Sequence, residues 1–143
     1  EIAILRVPGI YAADRLPLER LRQRTPVLRT EDDGYTNHIH ADDLAAICVR
    51  ALERGAAPGV YNATDDSELK MGDWFDLVAD RNGLPRPPRI GRADAERLIP
   101  PALLSFMRES RRLVNWRLKS ELGIVLRYPT VFEGVPRGTA ALA

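Results

Sequence analysis

The chain has 143 residues, 45% hydrophobic and 29% charged, with 21 basic and 20 acidic side chains and a formal net charge of +1. That is enough for one substantial core. It excludes a disordered or collagen-like chain and leaves no global field for nucleic acid or anionic lipid. No apolar run approaches the ~20 residues of a membrane span. Cys48 is the only cysteine, so neither an intrachain disulfide nor a cysteine zinc site forms, which fits a reducing, cytoplasmic setting.

Nineteen arginines stand against two lysines, Lys70 and Lys119. They are scattered along the chain, so source-genome composition explains them better than a binding patch does. Glu1 opens directly into Ile2-Ala3-Ile4-Leu5, with no basic leader and no cleavage site. The chain reads as cut from something longer.

Taken in order, Ile2–Val7 is apolar at nearly every position and reads as a strand buried on both faces. Pro8-Gly9 ends it. Leu16–Arg24 reads as a short amphipathic helix, Pro26–Leu28 as extended, and Asp32-Asp33-Gly34 as a turn. Tyr35–His40 is extended and leads into a helix over Asp43–Arg54. Asp42 stands at its N-cap, Ala45, Cys48, Val49 and Leu52 on its apolar face, and Gly55 past its end.

Gly59–Ala63 is a second buried-type strand. Met71–Asn82 is an amphipathic helix closed by Gly83, with Trp74, Phe75 and Val78 on one face. The prolines of Leu84–Ile90 make an extended connector, and Leu103–Met107 and Asn115–Leu122 are helices, the last stopped by Gly123. The Ile2–Val7 strand, the Asp43–Arg54 helix and the Val60–Ala63 strand compose a βαβ crossover, so the class is α/β.

The string His38-Ile39-His40-Ala41-Asp42-Asp43 nearly matches the HxHxDH of binuclear metallo-hydrolases. Asp43 replaces the last histidine, and no third histidine exists to complete the ligand set. Helix capping by Asp42 explains the string better, and no metal is expected. Cys48 on a helix reads as packing. There is no GxSxG elbow, no P-loop and no GxxGxxG turn.

Ile4-Leu5-Arg6-Val7-Pro8-Gly9-Ile10-Tyr11 resembles the "LRxxxxYG" strand and loop of the extended short-chain dehydrogenases, the NAD(P)-dependent epimerase/dehydratase family. Arg15-Leu16-Pro17 is similar to its "R-x-P" loop, and Thr25-Pro26-Val27-Leu28 to its short extended piece. Asp33-Gly34 with Ile39-His40-Ala41-Asp42-Asp43-Leu44-Ala45 resembles "G-D-G … F-I-H-V-D-D-L-A". Val60-Tyr61-Asn62 matches "V-Y-N", and Asn115–Gly123 with Tyr128-Pro129 resembles the family's C-terminal string.

The resemblance implies the C-terminal part of a Rossmann-like parallel sheet plus a small, mostly helical substrate-binding domain. Residues 1–63 are then the last strands and crossover helix with an inserted substrate loop, and residues 64–143 the substrate-domain segment. The family's glycine turn and catalytic YxxxK belong to the other half. Tyr11, Tyr35, Tyr61 and Tyr128 are followed four places on by Arg15, Ile39, Asp65 and Phe132, never by lysine. The family uses that tyrosine as acid/base, with the lysine lowering its pKa, so the chain alone is expected to be inactive.

Also by resemblance, Pro8, Gly9 and Ile10 lie against the nicotinamide end of NAD or NADP, although a Pro-Gly turn closing a strand explains the same residues. Arg15, Asn37 and Arg112 fall near the substrate cleft, or serve as surface and turn residues. Thr36 stands where nucleotide-sugar enzymes carry a diphosphate-binding arginine. The implied parent transfers hydride to a small polar, sugar-like substrate. The alternative is a non-catalytic NAD(P)-sensing or protein-interaction member of the same fold. A homo-oligomer or self-association through the exposed sheet edge is expected, with a small-molecule substrate and no nucleic acid or membrane partner.

Overall fold

A computed structural model describes residues 2–53 and 58–138. Strands β1 (Ala3–Arg6) and β2 (Gly9–Tyr11) precede helix α1 (Leu18–Arg22) and strands β3 (Val27–Leu28), β4 (Tyr35–Thr36) and β5 (His38–His40). Helix α2 (Ala41–Glu53), strands β6 (Gly59–Asn62) and β7 (Leu69–Lys70), helix α3 (Met71–Arg81) and strand β8 (Arg89–Ile90) follow. Helices α4 (Arg92–Leu98), α5 (Pro101–Arg108), α6 (Trp116–Leu122) and α7 (Val131–Gly134) complete the described chain. The class is α/β, as expected.

Two compact units divide the chain, each gathered from separate stretches. The first draws on residues up to Arg15, Asn37–Ser67 and Leu113–Gly134; the second on Leu16–Thr36, Glu68–Arg112 and the residues from Val135 on.

In the first unit β1 runs parallel to β6, with Ala3 opposite Gly59 and Arg6 opposite Asn62. Strand β2 runs parallel to β5 in the register Gly9–His38, Ile10–Ile39, Tyr11–His40. Parallel neighbours need a crossover, and α2 lies between β5 and β6 in the chain. The core joins Ile39, Ile47, Tyr61, Leu118 and Leu122 to the half-buried Ala3, Leu5, Ile10 and Leu44. Gly123, with φ 64°, takes the left-handed conformation that closes α6.

Two expectations change here. Strand β1 is not buried on both faces: its side chains alternate, Ala3 and Leu5 half-buried and Ile4 55% exposed, because among the described residues the core forms on one face only. Helix α2 turns the other way round. It buries Asp43 and Ile47 and half-buries Leu44 and Ala51, while Ala45, Cys48, Val49 and Leu52 face outward, Leu52 85% exposed. It also starts earlier, at Ala41, so Asp42 lies within its first turn. The cap comes from His40, whose Nδ1 accepts the Asp42 N–H at 3.1 Å. Arg54 and Gly55, expected at the end of this helix, lie outside the described residues.

In the second unit β3 runs parallel to β8 and β4 antiparallel to β7. Its core gathers Leu28, Ala95, Ile99, Leu104 and Met107. Helix α3 buries Trp74, Phe75 and Val78 on the expected face, and Gly83, at φ 63°, follows its end. Helix α1 is shorter than expected because Arg24, at φ 56°, leaves the right-handed region. Tyr35–His40 is not one strand: Asn37 interrupts it. The last two residues of the Leu84–Ile90 connector pair as strand β8, and α4, not anticipated from the sequence, follows it.

Candidate functional site

The junction of β1 and β2 carries the residues assigned to the cofactor. Pro8 and Ile10 are half-buried and Gly9 is exposed. The Gly9 N–H donates to the Asn37 carbonyl at 3.2 Å. A Cβ on Gly9 would stand 3.2 Å from His38 Nδ1 and 3.4 Å from that carbonyl, so glycine lets two neighbouring strand ends close up. Asn37 is fixed in turn, its Oδ1 accepting the Leu113 N–H at 2.9 Å. The structure therefore brings Pro8, Gly9, Ile10 and Asn37 together at one end of the β2–β5 pair.

Arg15 lies just beyond, exposed, its N–H bonded to the Ala12 carbonyl at 3.0 Å. Arg112 belongs to the second unit. There its guanidinium holds Glu68 at 2.7 Å and stands 5.0 Å from the centre of the Tyr35 ring. Thr36 sits in the same unit, paired in register with Leu69.

Beneath the β2–β5 pair is a polar cluster that sequence reasoning missed. Tyr11 is buried, with the rings of His38 and His40 edge-on to it at 6.2 and 5.2 Å. A Cβ on Gly134 would lie 1.9 Å from the Tyr11 hydroxyl, so α7 supplies a glycine there to admit the phenol. Burial, reinforced by Asp65 and Asp43, raises the Tyr11 phenol far above its ordinary range and keeps it protonated. Burial brings His38 down to about 4, so its imidazole is neutral at pH 7.

Asp65 follows β6 and is 4% exposed. Its N–H donates to the His38 carbonyl at 2.8 Å, and its Oδ1 accepts the Ser67 N–H at 2.9 Å. Its Oδ2 is buried with no hydrogen-bond partner, and burial pushes the carboxyl up to about 6. Asp43 is better served: its two oxygens accept the N–H groups of Arg127 and Tyr128 at 2.8 and 2.9 Å. The Tyr128 ring in turn stacks on His40 at 4.0 Å. So the two histidines of the metallo-hydrolase-like string act as a helix cap and as packing around Tyr11, and Asp43 clasps a distant segment. Among the described residues no group of three or more His, Cys, Asp or Glu is arranged to hold a metal ion.

No family model matches the chain. A 3-diazoavenalumate denitrifying reductase from a Streptomyces species is 29% identical over 104 residues, which is 73% of this chain and 34% of the reductase. A conserved protein of unknown function from Silicibacter pomeroyi superposes with a TM-score of 0.77 at 30% identity, over 92% of this chain and 45% of its own. A human epimerase family protein solved with NADPH superposes with a TM-score of 0.74 at 17% identity, over 92% of this chain and 46% of its own.

The chain therefore has the fold of the epimerase and dehydratase family proteins, the group its motifs resemble, and the human structure of that fold holds NADPH. The relative found by sequence is a reductase by name. The chain spans less than half the length of each of these proteins. No helix among the described residues is long and apolar enough to cross a membrane.

Proposed function

We propose that the chain is the C-terminal, substrate-side half of a cytoplasmic NAD(P)-dependent reductase or epimerase acting on a small polar, sugar-like substrate. The observation that supports it most is the β1–β2 junction. The parallel β1–β6 pair ends just before Pro8 and the β2–β5 pair begins at the exposed Gly9, in a chain similar to a reductase and folded like an NADPH-bearing epimerase family protein. NAD(P)H supplies a hydride when bound. In this reading residues 8–10 line the nicotinamide end with backbone groups, while Asn37 and Arg15 orient the substrate. The glycine turn for the pyrophosphate and the YxxxK acid/base belong to a complementary half.

Residues 1–63 then contribute the last strands and crossover helix with an inserted loop, and residues 64–143 the substrate-side segment. Within that segment Leu113–Gly134 returns to the unit that carries β1 and β6.

NADPH oxidation by the protein containing both halves, tested against small sugar-like carbonyl compounds, examines the proposal. Turnover is expected, and Gly9→Ala, which presses a Cβ toward His38 Nδ1, should raise the KM for NADPH by about tenfold or more. A complementary half without YxxxK that binds NADPH but turns nothing over would favour the sensing alternative instead.

A further inference from the structure

The second unit contains an arginine whose charge no acid answers among the described residues. Arg20, in α1, is half-buried. Its guanidinium lies 4.3 Å from the centre of the buried Phe75 ring, and its Nη2 is 3.9 Å from the sulfur of the buried Met107. Its Nε is shut off from solvent and has no hydrogen-bond partner.

Other partly buried arginines of this chain are treated differently. Arg89 holds Asp76 at 2.8 Å, and Arg117 holds Glu121 at 2.6 Å. Around Arg20, among the described residues, burial alone perturbs the guanidinium and no carboxylate supports it. Arginine stays protonated at any ordinary pH, so a desolvated, unanswered guanidinium is costly, and an aromatic face offsets only part of that cost.

We propose that Arg20 is an oxyanion-binding residue: its guanidinium, set on the shelf of Phe75 and Met107, takes the carboxylate or phosphate of a small-molecule ligand. Planar, forked donors suit either group. That the ligand is the substrate rests on the function proposed above, and it makes that substrate an anion. The binding itself does not rest on that function.

Thermal unfolding of the 143-residue chain tests this, with inorganic phosphate in one arm, malonate in another, and sodium chloride at matched ionic strength as reference. A millimolar site raises Tm by about 6 °C at 20 mM, and the rise grows with the logarithm of the anion concentration above the dissociation constant. The arm that responds identifies phosphate or carboxylate. Arg20→Met should abolish the rise, and Arg108→Met, which breaks the Arg108–Glu96 pair, should keep it.

A wild-type response no greater than that to chloride, or an undiminished one in Arg20→Met, overturns the proposal. Should Arg20→Met fail to fold, the Arg20 Nε–H resonance of the wild type decides: it shifts saturably with the anion, or the proposal is wrong. An anion response in a protein that never oxidises NADPH leaves Arg20 standing and removes the enzyme reading. The reverse result removes only Arg20.

Discussion

Asp65 and His38 are linked through the backbone and titrate in opposite senses. The folded Asp65 carboxyl, at about 6, lies above its unfolded value near 4, so the native state binds the extra proton between them. That contribution is favourable at low pH and is lost as pH rises from about 4 to about 6. His38 is brought down to about 4 from an unfolded value near 6.5, so its contribution is present at neutral pH and is lost as pH falls through the same window. The two slopes oppose, and the wild-type chain should show little pH dependence there. Asp65→Asn removes one of them. Urea unfolding should find the variant more stable by about 1–2 kcal/mol at pH 7.5, a gain that disappears near pH 4. Equal stabilities at both pH values would mean that the orphaned Oδ2 reaches water.

Helix α2 shows what sequence periodicity leaves undecided. Leu44, Ile47 and Ala51 satisfy the helical repeat, and so do Ala45, Cys48, Val49 and Leu52. The second set is larger and more apolar, so spacing favours it, but the core took the first. What decides is long-range: Asp43 must face inward to receive the N–H groups of Arg127 and Tyr128, and that fixes the rotation of the whole helix. No local pattern carries a contact across more than eighty residues.

The His40 cap escaped for a simpler reason, since imidazole is not among the usual capping side chains. The α3 helix with its buried face and the glycine stops at Gly83 and Gly123 were legible because they follow from local propensity, and the parallel β1–β6 pair because a strand–helix–strand order implies a crossover. At the site, Gly9 stands in a family string, whereas its closeness to Asn37 does not follow from one, and Asp65 and Arg20 lie in no recognisable motif. The rotation of α2 is directly testable. Leu52→Glu should change stability by less than about 0.5 kcal/mol, whereas Ile47→Ala should cost about 2–4 kcal/mol. The reverse order in denaturant melts would put the other face in the core.

For the whole molecule, β1 is the element to watch. Among the described residues it pairs with β6 alone, and Ile2 and Ile4 are 76% and 55% exposed beside it. An open edge with apolar side chains is a template for further strand pairing. The 143-residue chain should sediment as a dimer or larger at micromolar concentration, and Ile4→Lys should return it toward a monomer. A wild-type monomer would show that the edge is satisfied by the chain itself.

On the proposed function, the chain holds only the nicotinamide and substrate side of a cofactor site completed elsewhere. Calorimetric titration with NADPH tests this most directly, first on the 143-residue chain and then on the protein joined to its complementary half. Under that proposal, backbone contacts at residues 8–10, without a glycine turn and helix N-terminus for the pyrophosphate, would supply too little binding to be seen. Negligible heat from the chain alone and micromolar binding by the joined protein are the predicted results. Micromolar binding by the chain alone would contradict the account.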